Sequence, residues 1–114
     1  MNGKERQTVL FADTGVVAPT DTVERVPLTD GVVFVAQKIE VRPSLKYGSY
    51  VVFDGEDLDG KEFHGYSTSS VILQQAKALL EKYGGNNGVL TVGVLCGVRA
   101  IVSESTGRTF YTLA

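Results

Sequence analysis

One cysteine, one histidine and no long apolar run set the first limits on this chain of 114 residues. Cys96 alone excludes an internal disulfide and a cysteine-rich zinc site. It lies in an apolar run, so it reads as a small buried hydrophobe. With His64 the only histidine, no multi-ligand histidine–cysteine metal centre can be built. No segment is long and apolar enough to span a bilayer as a helix. Residues 1–7 lack the apolar core of a signal peptide. A cytoplasmic protein with no membrane partner is the expectation.

The motifs of enzymes are also missing. Ser67, Ser69 and Ser70 lie near His64 in sequence, but no Gly-x-Ser-x-Gly elbow surrounds them. No Gly-x-Gly-x-x-Gly run occurs. Residues 55–61 approach the spacing of a phosphate loop, but Glu62 stands where Ser or Thr should hold magnesium, and the acids of the loop repel phosphate. The acidic run Asp54-Gly55-Glu56-Asp57-Leu58-Asp59-Gly60 is too short for an EF-hand and its flanks read as strands. It reads as a solvated hairpin turn. No catalytic residue, cofactor or metal is expected, and the chain reads as a non-enzyme.

The net charge of −2 argues mildly against nucleic acid, but its distribution softens that. Residues 1–30 carry the net deficit of two. Residues 31–114 hold eight basic and eight acidic residues. Four of those acids, Asp54, Glu56, Asp57 and Asp59, sit in the acidic run, which leaves the remainder of the body positive. Local patches, not totals, bind phosphates.

What the chain does have is a β-rich body. Residues 1–30 contain two of the three prolines and read as an arm or extra strands, with Val9-Leu10-Phe11 and Val16-Val17-Ala18 as candidate edge strands. Residues 31–41 are rich in β-branched residues and predict a long first strand, ended by Pro43. Its later half puts Gln37, Ile39 and Val41 on one face and Lys38, Glu40 and Arg42 on the other. Residues 47–54 and 61–67 predict a second and a third strand around the acidic turn.

Then the period changes. Ile72, Ala76, Leu79, Leu80 and Tyr83 form one stripe of an amphipathic helix. Ser69 or Ser70 can cap its start. Gly84-Gly85 can supply a left-handed residue to stop it. Residues 89–102 predict a fourth strand with Leu90, Val92, Val94, Cys96, Val98 and Ala100 on its apolar face. Gly93 and Gly97 lie on the other face and mark a bend or a close backbone approach. Residues 108–113 predict a fifth strand.

The hairpin of the second and third strands carries five of the ten Tyr and Phe residues. A register with Phe53 opposite Lys61 and Val51 opposite Phe63 gathers Val51, Phe53 and Phe63 in the core. It puts Tyr50 opposite His64, with Tyr66 two residues along, on the outer face. A slip of one residue would separate Tyr50 from His64. Rings on a sheet stack on bases, and nearby cations track phosphates. The bland alternative is that the tyrosines bury their rings at the rim and point their hydroxyls to water. Phe53, Phe63 and Phe110 are assigned to the core, with Phe34 and Phe11 unassigned.

Three strands, a helix and two strands is the layout of an OB-fold barrel. On that order and the aromatic hairpin, residues 31–114 resemble an OB-fold single-stranded DNA-binding protein of the small kind found in phages and viruses as well as cells. The resemblance implies a mainly β, five-stranded barrel with one helix between strands three and four, following an N-terminal extension. It implies single-stranded DNA (or RNA) as the partner, a role in DNA replication, little sequence preference, and a homo-oligomer as one form. The site would comprise Tyr50, His64 and Tyr66 for stacking, with Tyr47 and Tyr111 as weaker candidates. Lys38, Arg42, Lys46, Arg99 and Arg108 would contact phosphate. Unlike many cellular single-strand binders, the chain ends directly after a strand, without an acidic tail, so recruitment of partners through such a tail is not expected. The rival expectation is a protein-interaction module that uses the same barrel, since exposed strand edges recruit partner strands.

Overall fold

Phe34 and Ala36, then Ile39 and Val41, give the long first strand of the body one apolar face. The two pairs are out of phase by one residue, and the break falls at Gln37. A β-bulge between Ala36 and Lys38 absorbs it. One extra residue in a strand restores the inward phase on both sides, so both halves face the same core.

A computed structural model of the chain describes residues 8, 23–44, 46 and 48–114. Its elements are β1 (Val26–Pro27), β2 (Val33–Ser44), β3 (Gly48–Glu56), β4 (Glu62–Ser67), α1 (Ser70–Tyr83), β5 (Val89–Val102) and β6 (Thr109–Leu113). The strands lie in the order β1-β4-β3-β2-β5-β6, and the sheet curls into a half-barrel. β1 runs parallel to β4, and the other neighbours are antiparallel.

Among the described residues there are therefore six strands, where five were expected for the body. The sixth, β1, comes from the segment 1–30, read as an arm or extra strands. The candidate edge strands at 9–11 and 16–18 lie outside the described residues. Leu28, from the same segment, is buried in the core at 3% exposure, so the packed body begins before residue 31. β2 also runs through Pro43 to Ser44 instead of ending there. Its pairing with β5 stops at Lys38, so the missing N–H of Pro43 lies where β2 has β3 alone as a neighbour, the setting in which a strand tolerates proline.

The core sits between the concave side of the sheet and α1. Phe34 is fully buried at its centre. The Phe34 ring meets Phe53 edge-on at 5.5 Å and stacks on Phe63 at 4.6 Å. Ile72 and Ala76 of α1 are buried against it, with Leu73, Leu79, Leu80 and Tyr83 packed around them. Of the two candidate caps, Ser69 is the one used, its Oγ accepting the Ile72 N–H at 3.3 Å. The helix stop differs from the expectation. Gly84 has φ −68°, and its N–H bonds the Leu80 carbonyl at 2.8 Å. Glycine serves there because a Cβ would strike that carbonyl. The left-handed residues are Asn87 and Gly88, in the next turn.

β5 bends as its glycines predict. Ala36 pairs with Val94 while Lys38 pairs with Val89, so Leu90 to Gly93 arch past Gln37. A Cβ on Gly93 would lie 2.9 Å from a Val35 methyl. Leu90, Cys96 and Val98 point inward, but Val92 and Ala100 are exposed. The arch lifts Val92 away from the core. Ala100 lies on the part of β5 that runs on beyond β2 with β6 alone.

Candidate nucleic-acid interface

Alternation fixes which side chains meet on the outer face of β2, β3 and β4. Val51 and Phe53 join the core, so Tyr50, Val52 and Asp54 point away from it. Across the ladders, Asp54 lies between Lys38 and His64, Val52 between Glu40 and Tyr66, and Tyr50 beside Arg42. This is the expected face with a different register. Phe53 lies opposite Gly65 and Val51 opposite Ser67. Tyr50 is therefore not opposite His64, and the buried Val52, two residues from Tyr50 on β3, lies directly opposite Tyr66.

The register moved because β3 runs further than the acidic composition implied. Gly55 and Glu56 continue β3, and the turn shrinks to Asp57–Gly60. The Asp57 carboxylate accepts the N–H groups of Asp59 at 2.8 Å and Lys61 at 3.0 Å. Gly60 takes φ +79°, the conformation glycine adopts at least cost. The partner of Phe53 moves by four residues, from Lys61 to Gly65, an even step, so every side chain keeps its face.

Asp54, expected as the last residue of its strand at the edge of the acidic turn, stands in the middle of this face. One of its oxygens, Oδ1, accepts both Arg25 Nη1 at 2.8 Å and His64 Nδ1 at 2.7 Å. Arg25 precedes β1 and also donates to the Phe53 carbonyl at 3.3 Å. Burial raises the Asp54 pKa, but hydrogen bonds from His64 and Arg25 and their charge outweigh it, and the net shift is downward. Asp54 thus holds His64 in place and ties the segment before β1 to the sheet. Arg42 is likewise engaged, Nε to Glu40 Oε1 at 3.0 Å. Acids and bases interleave here, so the face is mixed in charge, not uniformly positive.

The remaining candidates are dispersed. Lys46 is exposed in the β2–β3 connection. Arg99 is exposed on β5, opposite Thr112, and Arg108 is exposed just before β6. The β2–β3 connection and the β5–β6 hairpin lie beyond opposite ends of β2, as the registers require. Tyr111 packs against the core, while Phe110, expected inside, is only half-buried. The phase of β6 is set by Leu113 pairing with buried Val98, which turns Tyr111 inward. Tyr47 lies outside the described residues.

Sequence reasoning missed Arg25 and Asp54. Asp54 was legible in the alternation Tyr50-Val52-Asp54; nothing in the sequence marked Arg25. Among the described residues no three His, Cys, Asp or Glu side chains gather as metal ligands, and no helix is long and apolar enough to cross a membrane. No protein-family model, curated protein or solved structure matches the chain.

Proposed function

We propose that this protein is an OB-fold-like module that binds single-stranded nucleic acid on the outer face of β3 and β4. The observation that carries this reading is the joint placement of Tyr50, His64 and Tyr66 on that face, with Lys38 and Arg42 on the adjoining strand. Bases stack on the two tyrosines, while Lys38, Arg42 and Lys46 contact phosphates. The chain-order strands β2, β3 and β4 form a meander, and β5 returns through α1 to lie beside β2. That is a Greek key, and the OB-fold is a partly open Greek-key barrel that binds oligonucleotides on the face of its second and third strands. In this reading the lone thiol of Cys96 stays reduced in the cytoplasm.

Titration with a thymidine oligonucleotide, followed by tyrosine emission in a chain without tryptophan, tests the reading. Micromolar binding that weakens steeply between about 50 and 200 mM salt is expected from counterion release. No binding at low salt overturns it.

A second reading is a protein-interaction module. Its support is apolar exposure where β2 meets β5: Val33 pairs with Gly97 and Val35 with Leu95, and Leu95 is 62% exposed. Light scattering separates the two. A stable oligomer indifferent to oligonucleotide favours the second.

A further inference from the structure

The two ends of the curled sheet do not join by a ladder among the described residues, and a cleft of about 360 Å³ opens along their seam. That volume is at the small end of the range for ligand pockets, roughly 300–1,000 Å³. Tyr66 and the chain after β1 line one side, Phe110 the other, and the stretch 67–70 lies between. Ser67 and Ser69 are committed to the fold: Ser67 Oγ accepts the Ser69 N–H at 3.1 Å, and Ser69 Oγ donates to the Tyr111 carbonyl at 2.8 Å. The hydroxyls of Thr68, Ser70 and Thr109 make no side-chain hydrogen bond among the described residues. Among those residues no charged side chain lines the cleft.

We infer that this cleft is a nucleobase subsite. No charged side chain there pairs with phosphate, and the free hydroxyls fit a neutral ligand with polar edges. Aromatic side chains on both sides suit a planar ring, since base–aromatic stacking contributes about 1–3 kcal/mol. Tyr66 belongs both to this cleft and to the outer face. A strand lying across Tyr50 and Tyr66 therefore reaches the cleft with its next base and inserts it beside Phe110. The inference rests on the single-strand reading for the source of the base, though not for the chemistry of the cleft.

Amide NMR with thymidine and adenosine, which carry no phosphate, and separately with an oligonucleotide, is the test. The nucleosides, at millimolar concentration, shift amides at 67–70 and 109–111 with no dependence on salt. Phe110→Ala weakens that binding about fivefold or more. Ser70→Ala weakens it too and guards against a Phe110 variant that fails to fold. The oligonucleotide shifts the same amides along with those of β3 and β4. Nucleosides that move no cleft amide overturn the inference, as does full affinity in a folded Phe110→Ala protein. An oligonucleotide that perturbs β3 and β4 but leaves 109–111 unmoved also overturns it, while the single-strand reading survives. Nucleoside in the cleft without oligonucleotide binding upholds the cleft as a site for free nucleosides and removes the single-strand reading.

Discussion

Gln75 Oε1 accepts the backbone N–H of Leu113 at 2.8 Å, and Gln75 Nε2 returns a hydrogen bond to the Leu113 carbonyl at 3.1 Å. One side chain of α1 thus does for β6 what a neighbouring strand would do. Nε2 also reaches Thr112 Oγ1 at 2.9 Å. With Ser69 bonded to the Tyr111 carbonyl, these contacts hold β6 against the helix and keep the half-barrel curled.

Gln75→Ala removes all three Gln75 bonds and leaves a partly buried backbone donor unsatisfied. A loss of about 1–3 kcal/mol is expected. Hydrogen exchange checks it: the Leu113 amide should exchange far faster than amides of β3. Unchanged protection at Leu113 contradicts the role given to Gln75.

Gly55→Ala should be severe. A Cβ there runs into the Val35 carbonyl oxygen and lies 2.9 Å from its carbon, both backbone atoms that cannot rotate aside. Steric insertion at such a point costs about 3 kcal/mol or more, measurable by urea unfolding. A melt within error of the parent places β3 further from β2 than described.

Asp54 makes stability depend on pH in a definite direction. Its folded pKa lies below the ordinary value of 3.8. Its contribution is therefore complete above that value and lost as pH falls through it toward the depressed folded value. Melts from neutral pH to about pH 3 should show an acid limb that flattens in Asp54→Asn. The variant should also be less stable at neutral pH, since Arg25 and His64 lose an anionic partner. An acid limb of unchanged slope counts against this account.

Tyr66→Ala should weaken oligonucleotide binding by about 1–3 kcal/mol, and Tyr66→Phe should keep most of it, because stacking uses the ring. Tyr50 should behave alike. Full affinity in the double alanine variant, with circular dichroism unchanged, removes the face from the site.

Cys96 should resist thiol reagents while the protein is folded. Burial pushes its thiol up to about 11, and reactivity needs the thiolate. At mildly alkaline pH, labelling should be slow in buffer and fast in urea. Fast labelling of the folded chain shows that the core opens at β5.

The five strands of the body and α1 were legible because hydrophobic period and turn chemistry are local. The face of Tyr50, His64 and Tyr66 was legible for the same reason, since side chains alternate whatever the register. The register itself was not. Gly55 and Asp54 look like turn residues, yet β2 and β4 on either side supply the hydrogen bonds that keep them extended. The short strand Val26–Pro27 was hidden because its pairing partner, β4, lies about forty residues away.

The sequence by itself determined a β-rich chain with one amphipathic helix, a buried lone cysteine and an aromatic hairpin with its rings sorted by face. Only the tertiary structure decided that Asp54 joins Arg25 to His64, that Tyr111 turns inward while Phe110 turns out, and that uncommitted hydroxyls meet two aromatic rings at the seam of the sheet. Each of those depends on which distant strands become neighbours. Periodicity fixes the face of a side chain, but only the packing of the whole chain chooses what stands beside it.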